Sequence, residues 1–173
     1  MIRDQSLRLS LGAAALCLGF STAQAQTALG DADREFVEQA AHGGHAEVSM
    51  GESAAKSENA AVSAFGKQMI ADHSMMNDEL AALAKRKGVE PPTGPDLASQ
   101  AKGAVVGVMP GTAFDKQYVS SQLDDHKETL ALYQKEAQSG QDPELKALAV
   151  KGIPIIQRHI TQLEELQKRP ELQ

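Results

Sequence analysis

Residues 88–111 read GVEPPTGPDLASQAKGAVVGVMPG, a loose stretch holding four of the chain's seven prolines. Its prolines and glycines leave room only for a short helix, about Leu97 to Val106. On both sides the text is strongly helical. Two segments precede it, from about Asp31 to Ser57 and from about Asn59 to Lys87. Two follow, from Thr112 to about Ser139-Gly140 and from Asp142-Pro143 to about Lys168. Apolar residues recur at helical spacing in all four, and strand alternation is nearly absent. Short turns within each pair and one long connection between the pairs predict two helical hairpins joined by a crossover at 88–111. That is an all-α, ferritin-like four-helix bundle.

Local signals punctuate the helices. Asn59 can cap the second, and Gly88 suits the position after its end. Thr112 with Asp115 three residues on reads as a capping-box variant for the third. Asp142-Pro143 supplies a cap and a first-turn proline for the fourth, which Pro154 should kink. Gly43 and Gly51 fall on the apolar face of the first helix, where close approach of another helix would explain them. A weak internal repeat links the middle helices: Phe65-x3-Met69-Ile70-x-Asp72-His73 matches Tyr118-x3-Gln122-Leu123-x-Asp125-His126 at an offset of 53.

The first 25 residues have the pattern of a cleaved signal peptide. Arg3 and Arg8 form a basic start, Leu9 to Phe20 an apolar run, and Ala23-Gln24-Ala25 a cleavage site, so cleavage is expected after Ala25. The chain left, residues 26–173, suffices for a single domain, which we expect to be exported to the periplasm. Cys17 is the only cysteine and leaves with the signal peptide, so helix packing alone must stabilise the fold. Losing Arg3, Asp4 and Arg8 takes the basic and acidic counts from 17 and 23 to 15 and 22, a net charge of −7. That sign disfavours nucleic acid as a partner. No later run approaches the roughly 20 apolar residues that a transmembrane helix needs.

Helical wheels show where the polar residues point. In the second helix, Val62, Gly66, Met69, Met76, Leu80 and Ala84 make the buried stripe, with His73 at its centre. His126 shares a line with Val119, Tyr133 and Ala137, and His159 lies within the stripe of Leu145, Leu148, Gly152, Ile156, Leu163 and Leu166. Glu47 sits among Phe36, Ala40, Gly43, Gly51 and Ala54, whereas His42 and His45 face away. All four polar residues stand near mid-helix, so they reach similar depths in the bundle. Left unpaired, each would cost several kcal/mol.

Two resolutions are open. In one, Glu47, His73, His126 and His159 bind a transition metal, copper or zinc, supported by Asp72 and Asp125. In the other, Asp72 and Asp125 accept hydrogen bonds from histidines on facing helices, and Asp–His and Glu–His pairs fix the register without a metal. Met69, His73 and Met76 lie in line, a set that suits copper(I), although methionine on such a stripe is commonly core filler. The Glu-x-x-His pairs of di-iron bundles are missing. Gln39, His42, Ile70, Leu123 and Ile156 occupy the positions three before the histidines, none of them acidic.

The chain resembles an exported bacterial family described as domain of unknown function 4142, whose members are often described as outer-membrane or periplasmic proteins. The matching text is Phe36-Val37-x2-Ala40-Ala41-x-Gly43-Gly44-x2-Glu47-Val48-x2-Gly51, then Phe65-x3-Met69-Ile70-x-Asp72-His73-x3-Asn77-x-Glu79-Leu80. It continues through Lys87-Gly88-Val89, Phe114-Asp115-x2-Tyr118-Val119, Asp125-His126 and Pro154-x4-His159-Ile160. The resemblance implies a ferritin-like bundle and export, and no particular reaction. Met69 to Met76 is also distantly similar to a His- and Met-bearing helical family linked to copper handling, which tends to show two adjacent histidines where this chain has one. The reading that follows is an exported bundle binding a transition metal as a carrier, buffer or stress protein. Its alternative is a metal-free structural or interaction protein of the cell envelope. A redox enzyme ranks last, lacking a recognisable constellation, and neither a nucleophile constellation nor a phosphate-cradling loop is evident.

Overall fold

The computed structural model describes residues 28–173, so the expected signal peptide at 1–25 lies outside the described residues. Five α-helices and a terminal 3-10 turn account for the described chain: α1 (Asp31–Ala54), α2 (Ala60–Arg86), α3 (Leu97–Gly107), α4 (Gly111–Ser139), α5 (Pro143–Gln167) and Pro170–Leu172. No strand occurs among the described residues. Helix boundaries follow the local chemistry at most ends. Asn59 accepts from the N–H groups of Ala61 and Val62, and Asp142 accepts from those of Glu144 and Leu145 ahead of Pro143. Gly88 takes a φ of 74°, which closes α2.

One expected cap is corrected. Helix α4 begins at Gly111, with Pro110 before it and no side-chain cap. Asp115 accepts from the Ser57 hydroxyl at 2.6 Å and so ties the end of α1 to the start of α4 rather than capping with Thr112.

Paired side chains give the helix directions. Asp33, near the start of α1, accepts from the N–H groups of Gln141 and Asp142 just past α4, while Ser57 meets Asp115 at the opposite end. Thus α1 runs antiparallel to α4. Arg86–Glu144, Glu79–Lys151 and Gln68–Gln162 run in opposite order along α2 and α5, which are antiparallel too. Helix α2 therefore ends where α5 begins, and α4 starts at the far end. The crossover must traverse the bundle, and it does so with α3 lying against α1 and α4.

Small residues permit the tight α1–α2 hairpin. A Cβ on Gly51 would lie 3.0 Å from the Gly66 carbonyl oxygen, and one on Gly66 would lie 2.8 Å from that of Gly51. The expectation for Gly43 fails: nothing crowds it, and the close neighbour, Asn77, faces Gly44 instead. Helix α5 runs through Pro154.

The core is divided. One apolar cluster includes Phe36, Val37, Met76, Leu80, Tyr133, Leu145 and Ile156. The other includes Val62, Phe65, Met69, Phe114, Tyr118, Val119, Leu123 and Leu163. Between them, at mid-height, lies a layer of buried polar side chains.

Candidate metal centre

Helices α2, α4 and α5 each turn one histidine inward at this layer. His73 is 2% exposed, and His126 and His159 are fully buried. The ring centroids form a nearly equilateral triangle: 5.4 Å between His73 and His126, 5.3 Å between His73 and His159, and 5.4 Å between His126 and His159. Each offers a ring nitrogen, and the three nitrogens lie within 4.8 Å of one another.

The outer hydrogen bonds determine which nitrogens face inward as lone pairs. His126 Nδ1 lies 2.8 Å from the Gln122 carbonyl oxygen, one helical turn earlier. A carbonyl only accepts, so Nδ1 carries the proton and Nε2 does not. His159 Nε2 lies 2.8 Å from Asp72 Oδ2. Burial pushes the Asp72 carboxyl up, but hydrogen bonds from His159 and Arg158 outweigh it and hold the group below its usual range. Ionised Asp72 only accepts, so His159 donates through Nε2 and leaves Nδ1 bare. The two bare nitrogens, His126 Nε2 and His159 Nδ1, face each other at 3.3 Å. His73 Nε2 is buried with no partner at all.

An added proton could sit between facing lone pairs, but the surroundings oppose it. Burial, then His159, push His126 down to about 3 despite the Gln122 carbonyl. Burial, then His126 and His159, hold His73 well below the usual histidine range. His159 is lowered by burial as well, against the pull of Asp72. At neutral pH the layer is three neutral imidazoles, two of them with lone pairs opposed.

Two carboxylates flank the triangle differently. Asp72 orients His159, as expected for one of the two Asp–His pairs. Asp125 is corrected: it bonds no histidine and is held by Lys102 Nζ of α3 at 2.6 Å. Glu47 is buried beside the triangle, with Oε1 3.7 Å from His126 Nδ1. That nitrogen is the one already bonded to Gln122, so Glu47 stands behind His126 and outside the three-nitrogen cluster. Burial, then the neighbouring Asp125, push its carboxyl up to about 8.

Met69 and Met76 belong to opposite apolar clusters, and the Met76 methyl is directed at Gly152. Of the histidines read as facing away, His42 bonds through Nδ1 with the Gly94 carbonyl of the crossover at 2.8 Å. Gln122 and Lys102 were not read as site residues from the sequence. Gln122 could have been, being a polar residue on the α4 stripe four positions before His126.

Residues 19–166 match the family model described as Domain of unknown function (DUF4142). The chain belongs to this family. No curated protein matches the sequence. Among solved structures, the crystal structure of a DUF305 fragment from Deinococcus radiodurans is similar, with a TM-score of 0.72 and 15% identity over 83% of this chain and 100% of that one. At that identity the likeness establishes the helical fold alone. This DUF4142 member is thus an all-helical domain whose three buried histidines are compatible with metal binding.

Proposed function

We propose that this protein binds one transition metal ion, copper or zinc, through His73, His126 and His159, and that it acts in the periplasm as a carrier, buffer or stress protein. The observation that carries the reading is the pair of opposed imidazole lone pairs 3.3 Å apart. Metal–nitrogen bonds of about 2.0–2.1 Å around a tetrahedral ion put its ligands roughly 3.3–3.4 Å apart. His73 supplies the third nitrogen, within 4.8 Å of the other two, and its unpartnered Nε2 has no hydrogen bond to lose. Asp72 and the Gln122 carbonyl then act as the outer partners that hold imidazole ligands in one tautomer. Asp125 has no such role here, and Glu47 lies behind His126, 3.7 Å from the nitrogen that Gln122 already holds.

The metal-free alternative draws on the Asp72–His159 hydrogen bond, which needs no ion. It leaves the opposed lone pairs and the His73 nitrogen unaccounted for. Deep burial of all three rings suits holding an ion more than turning over a substrate. Export rests on the signal-peptide pattern of the residues before Gln26.

Calorimetric titration of the exported chain with Zn2+ and Cu2+ tests the reading. One ion per chain should bind, and His73→Ala and His126→Ala should abolish tight binding. No stoichiometric metal, together with no thermal stabilisation by either ion, would sink it. Mass spectrometry of protein from the periplasmic fraction should find a chain beginning at Gln26. A chain retaining residues 1–25 would contradict the export reading.

A further inference from the structure

Beneath the crossover helix lies a cavity of about 740 Å3 between α1, α3 and α4. Its charge is one-sided: Glu35, Glu38, Glu47, Asp96, Asp125 and Glu128 line it against a single lysine, Lys102. Two buried polar atoms on this wall have no partner, Glu47 Oε2 and Gln122 Oε1. Both residues are at least nine-tenths buried. Burial and Asp125 keep a proton on Glu47 at neutral pH, so a divalent cation entering this acidic cavity takes the place of that proton, which leaves to solvent. Asp125 pairs directly with the tethered ammonium of Lys102, 2.6 Å away, which acts on Glu47 only from a distance.

Glu47 also connects this cavity to the histidine layer. It lines a second, smaller space together with His73 and Met76. Meanwhile α3 itself is lightly held. Val106 is its only buried residue, and the crossover's side-chain ties to α1 and α4 are His42–Gly94 and Lys102–Asp125.

The geometry points to a second cation site in this cavity, built by Glu47, Gln122 and Asp125, that loads divalent metal ions into the histidine cluster. Its existence stands on the cavity alone; its direction of delivery rests on the metal reading of the histidines. Oxygen donors hold a divalent ion loosely, and imidazoles hold a transition ion more strongly, so an ion moves inward past Glu47. Lys102 occupies the Asp125 side as a tethered competitor, and an arriving ion displaces it and frees α3.

Two measurements on the residue 26–173 chain test this. Mn2+, an ion suited to oxygen donors, is titrated with free ion read by electron paramagnetic resonance. One weak site is expected, retained in His126→Ala and weakened at least about tenfold in Glu47→Gln, which takes away a ligand that can ionise when the ion binds. Mn2+ binding that ignores Glu47→Gln overturns the site, whatever the histidines do. Zn2+ uptake from a chromophoric chelator is then followed by stopped flow. Glu47→Gln should slow loading about tenfold or more while one ion per chain is still reached, and Lys102→Met should speed it several-fold. Loading at the wild-type rate in both variants overturns the delivery role. A wild type that takes up no zinc refutes the histidine reading and the delivery with it, while the Mn2+ result still decides the site.

Discussion

Two buried polar clusters stabilise the bundle in opposite ways. At one end, Asp33 is 1% exposed and accepts from the N–H groups of Gln141 and Asp142 at 2.8 and 3.0 Å. Asp142 in turn caps α5 and meets Lys87 at 2.8 Å, and Lys87 also reaches Glu144 at 2.6 Å. Apart from Glu136, every carboxylate there faces donors, so the cluster is electrostatically closed. At mid-bundle His126 and His159 have their outer nitrogens satisfied and their inner ones opposed, and His73 Nε2 has no partner. A closed cluster organises a turn. An open one asks for an electrophile, and this contrast separates a structural polar group from a binding site more surely than burial does.

The contrast breaks most visibly under metal. At an ion concentration 100-fold above its dissociation constant, binding stabilises by about 2.7 kcal/mol. For a domain of this size, that raises Tm by roughly 5–11 °C. Differential scanning calorimetry should find this shift in the wild type and in Asp33→Ala, and none in His73→Ala or His126→Ala. Asp33→Ala should also lower stability by about 2–4 kcal/mol in urea titration, because two N–H groups lose a charged acceptor. Equal metal shifts in all variants would erase the distinction between the clusters.

Smaller effects sharpen it. Asp72→Ala removes the acceptor that holds His159 with Nδ1 inward. Metal affinity should fall about 10- to 100-fold, the usual cost of losing such an outer partner, as read by chelator competition. The smallest effect concerns the one flaw in the closed cluster. Glu136 Oε1 has no partner, and burial, then Asp33 and Asp142, push its carboxyl up to about 7 from an ordinary 4.5. A raised carboxyl favours the folded state only while protonated. Its contribution is full below about pH 4.5 and lost as pH rises through about 7. Glu136→Gln should therefore exceed the wild type in stability by about 1–2 kcal/mol at pH 8 and match it at pH 4, as measured by urea unfolding.

Much of this was legible in the chain, for identifiable reasons. Period 3.6 places His73, His126 and His159 on buried stripes because a helix converts spacing into direction. The proline-rich stretch at 88–111 marks the crossover, and hence which helices are neighbours. Asp72 and Asp125 look identical in the sequence repeat, yet one orients a histidine and the other holds a lysine. The difference lies in α3, whose position on the α1–α4 face no periodicity in the long helices encodes. Glu47 was correctly seen as buried, but the nitrogen it approaches depends on the His126 rotamer, which the Gln122 carbonyl decides. The Thr112 cap and the crowding expected at Gly43 fail because each depends on the partner brought close by tertiary packing. Ser57 takes Asp115, and Asn77 faces Gly44.

The central claim is that His73, His126 and His159 hold one ion through three imidazole nitrogens. Zinc K-edge X-ray absorption of the chain loaded with one equivalent of Zn2+ reads that directly. The account predicts three imidazole nitrogens at about 2.0–2.1 Å, falling to two in His159→Ala. A zinc ion held only by oxygen, or a spectrum that His159→Ala leaves unchanged, would contradict it.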